Sequence, residues 1–220
     1  MSVEHPSATI PFSVFKRALR LLWEELFLLG LAGYIWMILG ILILPLAPIT
    51  VGLFYVTNQV AHGNAIYFTM QFAGAWRFLS RSLIWGAVNA LTSLLIWADL
   101  RYYQDIGGTL GTVFVTLAIL LTLAWIVIQV FTLSFLIEIG PTHLRAAFRQ
   151  AFVLVVSQPL FAVGLLIVMA LLALLCWYLP ILLGYAFVYL ALIANVAMVT
   201  LRDSRTSVNR LSNENNRAPR

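Results

Sequence analysis

From Leu110 to Ile139 the chain runs through thirty residues in which Glu138 is the only charged side chain. A helix of that length reaches about 45 Å, against roughly 30 Å for the hydrocarbon core of a bilayer. No soluble fold of modest size can hide such a helix, so this stretch belongs in lipid, tilted or protruding. The rest of the chain agrees. Of its 220 residues, 62% are hydrophobic and 10% are charged, where soluble proteins carry about a quarter charged. The expectation is an all-α, polytopic transmembrane helix bundle of about six spans, with two or three amphipathic interfacial helices.

Prolines, glycines and charges divide the sequence into pieces. Phe15 to Glu25 is basic, amphipathic and carries Trp23, which suits a membrane surface. Leu26 to Leu44 reads as the first span, closed by Pro45 and Pro48. Ile49 to Ala61 is a second and short apolar run, ending at His62-Gly63-Asn64. The aromatic segment 65–80, with Arg77 as its charge, reads as interfacial. A third span over 83–98 leads to the polar loop Asp99–Asp105, and Gly107, Gly108 and Gly111 start the long fourth. Gly140-Pro141 ends it. A second basic amphipathic helix over 142–157 carries His143, Arg145 and Arg149, and spans over 159–177 and 181–201 meet at Pro180. The polar tails, 1–14 and 202–220, flank a membrane domain over 15–201. The C-terminal tail has too little apolar content to pack and is expected to be disordered. The N-terminus lacks the basic start and small-residue cleavage pattern of a secretory signal and is read as retained.

The net charge of +5 would suggest nucleic acid in a soluble domain. Here the basic residues sit at the ends of apolar runs. Six spans place Lys16, Arg17, Arg20, Arg77, Arg81, Arg145, Arg149, Arg202, Arg205, Arg210, Arg217 and Arg220 on the side of the N-terminus, and only Arg101 on the other. By the positive-inside rule both termini are cytoplasmic, in a plasma (inner) membrane, with the lipid bilayer as the principal partner and nucleic acid excluded. If the second run alone failed to cross, this split would be lost.

One plan recurs. Phe15-Lys16-Arg17-Ala18-Leu19 precedes an apolar span, a proline turn and Gly52-Leu53-Phe54-Tyr55-Val56. Phe148-Arg149-Gln150-Ala151-Phe152 precedes an apolar span, a proline turn and Gly184-Tyr185-Ala186-Phe187-Val188. The segment from Trp76-Arg77-Phe78-Leu79 starts the same way. A duplication of this kind would be parallel, since every unit keeps one orientation.

Chemistry-bearing patterns are sparse. The sequence contains no P-loop, no HExxH, no GxSxG and no Cys or His pair at ligand spacing, and no cofactor or enzymatic activity is expected. Cys176 is alone within an apolar run. His5, His62 and His143 lie in separate segments. Arg20 and Glu24 stand four apart and can pair on one helix face. The informative residues are the polar ones inside spans: Asn58, Gln59, Asn89, Gln129, Glu138 and Asn195. Such groups are costly in lipid unless they face protein or water. Two uses are open: a polar vestibule facing the cytoplasm, with Glu138 as its carboxylate and Asn89 near mid-membrane, or hydrogen bonding between helices. Among seven tryptophans, Trp23, Trp76, Trp97 and Trp177 fall where an aromatic belt belongs, and Trp36, Trp85 and Trp125 fall deeper.

The stretch Leu44-Pro45-Leu46-Ala47-Pro48-Ile49-Thr50-Val51-Gly52-Leu53-Phe54-Tyr55-Val56, with Gly63, Phe72, Trp76, Phe78 and Arg81 after it and Leu144–Phe152 followed by Gln158-Pro159 later, resembles the YesL-like family of bacterial membrane proteins. The likeness covers about 15–203. Where that family often has a basic pair after the second span, this chain has Asn58-Gln59-Val60-Ala61-His62. The family has no assigned function; its association with carbohydrate uptake and breakdown implies a transport-related role. The expected function is therefore transport-associated, as a small permease or accessory subunit, or else that of a structural or assembly subunit of a larger membrane complex.

Overall fold

A computed structural model describes residues 10–42, 45–141 and 143–217, with the side chains of 10–11, 181, 201 and 203–217 excepted. The described residues are almost all helical, with a longer non-helical segment over 62–69, and contain no strand. Its helices are α1 (Ile10–Glu24), α2 (Leu26–Gly40), α3 (Leu46–Ala61), α4 (Met70–Arg77), α5 (Leu79–Ile106), α6 (Gly108–Ile139), α7 (Leu144–Ser157), α8 (Pro159–Tyr178) and α9 (Leu183–Arg217), with a 3-10 turn at Pro180–Leu182. Much of the expected N-terminal tail and the last three residues lie outside the described residues. The backbone of α9 continues through the polar segment as far as Arg217.

Six apolar helices occupy the six expected places. Four of them, α5, α6, α8 and α9 to Thr200, are long and apolar enough to cross a membrane unaided. Helices α1 and α2 meet that condition only as a pair, and the chain bends by 94° between them. At 15 and 16 residues, α2 and α3 reach only about 22 and 24 Å. The chain is thus a multi-helix membrane bundle in which the first hairpin, and not α3 alone, is short.

The nine α-helices among the described residues fall into three triplets. Each begins with an amphipathic helix (α1, α4, α7). It ends at a break of one residue, Glu25, Phe78 or Gln158, which stands just before the following apolar helix (α2, α5, α8). The chain then turns back through α3, α6 or α9. These three returning helices contact one another and form the centre. Each amphipathic helix packs on the returning helix of the triplet before it: α4 on α3, α7 on α6, and α1 on α9, which closes the ring. The same cyclic rule places α5 on α3, α8 on α6 and α2 on α9.

The register repeats as well. Seven residues before each break stand Ala18, Gln71 and Ala151, all fully buried. Eight residues after the first two breaks stand Gly33 and Gly86. A Cβ added to Gly33 would lie 2.6 Å from the Gly184 carbonyl oxygen of α9, and one added to Gly86 would lie 2.7 Å from the Ala47 side chain of α3. Eleven residues beyond Ala47 and Gly184 come Asn58 and Asn195, which bond to each other. Trp36 spans the same register one level up: its indole donates to Thr50 at 2.8 Å and its ring stacks on Phe187 at 4.0 Å. So α3 and α9 run parallel and level.

The middle triplet departs from this plan in one respect. Its hairpin is much longer, and between Leu83 and Ile126 only Gly111 is buried. The outer halves of α5 and α6 touch each other, with Tyr103 stacked on Phe114 at 4.9 Å, and expose mostly apolar side chains up to the polar end of α5, where Asp99, Arg101, Gln104 and Asp105 are exposed.

Candidate functional site

The polar residues inside the helices occupy distinct places, and each has a structural reason. At the centre, Asn195 on α9 is fully buried. Its amide donates to Thr57 Oγ1 at 2.9 Å, to the Phe54 carbonyl at 3.2 Å and to the Ala191 carbonyl at 3.0 Å. It accepts from Asn58 at 3.4 Å. This is the pairing of equivalent positions that a parallel register dictates: the two asparagines meet because they are the same residue of two triplets. On α6, Ser134 stands one turn before Glu138, as Asn58 stands one turn before His62. Its hydroxyl is buried without a partner.

One turn beyond Asn58 and Ser134, α3 and α6 end together beside α9, which continues past them. Glu138 of α6 is approached by Arg202 of α9, and its Oε2 lies 3.7 Å from Nε2 of His62 at the end of α3. His62 Nδ1 bonds the Asn58 carbonyl at 2.9 Å. Arg17 of α1 reaches the Ala61 carbonyl at 3.4 Å, and Arg81 donates to the Pro141 carbonyl at 3.1 Å. The basic residues therefore satisfy helix ends that would otherwise expose carbonyls at this face. Arg101 is at the opposite end, near the α5–α6 tip.

A third polar set clamps α5 to α6. Trp85 donates to Gln129 Oε1 at 2.6 Å, Trp125 donates to Asn89 Oδ1 at 3.3 Å, and Asn89 donates to Gln129 Oε1 at 3.3 Å and to the Trp85 carbonyl at 2.8 Å. The two helices are antiparallel, so a Trp and an amide four residues apart on each can satisfy the other pair reciprocally. Among hydrogen bonds between membrane helices, individual bonds contribute about 0.6 kcal/mol on average. Trp85→Phe is expected to cost about 1 kcal/mol, since it removes the shortest bond of the set and leaves Gln129 underused. Unfolding in mixed micelles, read against Trp97→Phe at an exposed site, measures this.

The six residues expected at a vestibule are thus divided. Asn58 pairs with Asn195 and Asn89 with Gln129, Glu138 belongs to the end cluster, and Gln59 turns outward to Asn64 at 2.8 Å. The deeper tryptophans prove more polar in use than packing alone implies, since all three donate their indole N–H. The outer four are strongly exposed, as an aromatic belt requires. Arg20 and Glu24 pair at 2.7 Å. Among the described residues no group of three or more His, Cys, Asp or Glu side chains is placed to hold a metal.

One residue escaped sequence reading. Gln71 is 1% exposed, and neither its amide nitrogen nor its oxygen has a partner. It sits where the other triplets have alanine, beside a cleft of about 10 Å³ between α2, α3 and the 66–68 segment. A buried amide without partners carries its full desolvation cost, about 1–3 kcal/mol. Gln71→Met keeps the volume and removes the polar group. It is expected to raise the melting temperature in detergent; an unchanged or lowered value would show that the amide has a partner.

Comparison of the chain with models of known protein families, with curated proteins and with solved structures gives no match.

Proposed function

We propose that this protein is a non-catalytic structural or assembly subunit, multi-pass in a plasma membrane with both termini cytoplasmic. The supporting observation is how its intramembrane polar groups are spent. Asn58, Asn89, Gln129 and Asn195 are all engaged with protein groups on neighbouring helices. A translocation path needs polar groups facing water or substrate. Short of the polar tip at Asp99–Asp105, the surface left over on the outer half of the α5–α6 hairpin is apolar, which suits lipid and other membrane chains.

A second reading keeps the protein in transport, as a permease or accessory subunit. It is supported by the likeness to the YesL-like family and by the parallel triplets, because internal repeats are a common build of transporters. The two readings differ at Asn89. On a Cys176→Ser background, Asn89→Cys is expected to resist a water-soluble maleimide, because the clamp is closed; rapid labelling would favour transport. Isolation from the native membrane in mild detergent tests the first reading directly. A defined larger complex is expected, and a lone monomer would overturn it. Sidedness is checked separately: a cysteine at Arg149 should react only from the cytoplasm and one at Arg101 only from outside.

A further inference from the structure

Helix α7 exposes one stripe whose chemistry changes along its length. Arg145, Arg149, Phe152, Val153 and Val156 follow one another at helical spacing and are all exposed, while Ala147, Ala151 and Leu154 are buried on the face toward α6. The first part of the stripe is cationic and the last part apolar. Arg145 and Arg149, with His143, line an open recess of about 400 Å³. Arg81, bonded to the Pro141 carbonyl, adds a fourth basic side chain beside the turn that leads into α7.

The other amphipathic helices carry the same outward face but not the same chemistry. On α1, Arg20 is paired with Glu24 and Arg17 is bonded to the Ala61 carbonyl. On α4 the face is aromatic, with Phe72 and Trp76 exposed and Phe68 exposed just before the helix, and Arg77 lies over the Phe78 ring. Only on α7 are two arginines left without a carboxylate among the described residues. Glu138, the acidic residue at this end of the centre, is already held by His62 and Arg202.

We propose that α7 binds an anionic phospholipid, with the phosphate in the recess between Arg145 and Arg149 and an acyl chain along Phe152, Val153 and Val156. Charge complementarity selects the headgroup. The apolar continuation selects a lipid over a soluble anion, which has no use for it. From Arg149 to Val156 the stripe runs about 10 Å at helical rise, enough for the part of one acyl chain nearest the headgroup. The site does not depend on whether the protein is a structural subunit or a transporter.

The test uses the full chain in mild detergent, with phosphatidylglycerol, phosphatidylcholine and inorganic phosphate as probes, and thermal stability against probe concentration as readout. Phosphatidylglycerol is expected to raise the melting temperature saturably, while phosphatidylcholine at equal concentration and millimolar phosphate are not. Each of Arg145→Gln and Arg149→Gln is expected to weaken the phosphatidylglycerol response about five-fold, and Val156→Asn to weaken it without any change in charge. Lys16→Gln, on the equivalent face of α1, is expected to leave it intact. The proposal is overturned if Lys16→Gln weakens the response as much as the arginine variants, which would mean diffuse surface charge. A response to phosphate matching the lipid's, or no dependence on headgroup, overturns it equally. Both arginines are exposed, so melting of the variants in phosphatidylcholine confirms that they remain folded.

Discussion

Gly52→Ala should prevent stable folding or lower stability by about 3 kcal/mol or more, the upper range of overpacking costs. A Cβ at this position would lie 2.2 Å from the Gln71 carbonyl oxygen and 3.2 Å from the Ala75 nitrogen. Both atoms belong to the backbone of α4, so no rotamer change can make room; α4 as a whole would have to lift off α3. That interface is among the most extensive in the molecule and buries Gln71, Gly74 and Ala75. Gly164→Ala is the control. Its Cβ would meet only the edge of the Phe15 ring at 3.6 Å, an ordinary contact. Expression, monodispersity in detergent and melting temperature should all separate the two. If Gly52→Ala behaves like Gly164→Ala, α4 does not pack on α3 as described.

Asn195→Leu is expected to cost about 2–3 kcal/mol. The change removes an amide that serves three acceptors and leaves Asn58, 4% exposed, with a buried donor unpaired. Thr57 keeps its own bonds to the Leu53 and Phe54 carbonyls, so the penalty falls on Asn58. Asn58→Leu alone is expected to cost less, because Asn195 retains its other acceptors. The double variant, with both amides replaced, should be less destabilised than the sum of the singles. A double-mutant cycle in reversible unfolding conditions measures the coupling; strict additivity would mean that the two asparagines do not touch.

The helices were largely legible in the sequence because prolines, glycines and charge clusters punctuate long apolar runs. Their register was harder to read. Matching Gly52 with Gly184 by eye places the triplets in a register five residues away from the one packing chooses, in which Ala47 answers Gly184. The reason is local: α8 is five residues longer than α2, so an alignment anchored on Phe15 and Phe148 slips before it reaches the returning helices. The 65–80 segment reads as interfacial because it is aromatic with Arg77 as its one charge; Phe72 and Trp76 are exposed, and Gly74 and Ala75, the small residues between them, let α4 bury its other face. The clamp of α5 and α6 has a sequence signal, Trp85 with Asn89 and Trp125 with Gln129, but the signal means nothing until the two helices are known to be antiparallel and level. Charge counting also carries less than it first suggests. Since α2 and α3 are short together, a hairpin that enters and returns gives the same sidedness as two full crossings. The bias of basic residues fixes the parity of that hairpin rather than its depth.

The closure of the ring by α9 has a consequence for biogenesis. Helices α1 and α2 leave the ribosome well before α9, yet much of the surface they pack on belongs to α9. Until α9 arrives, Gly33 has no Gly184 to meet, Trp36 has no Phe187 to stack on, and the Phe15 carbonyl awaits the Tyr189 hydroxyl that bonds it at 3.1 Å. The nascent protein therefore spends its synthesis as an open arc with an unsealed seam.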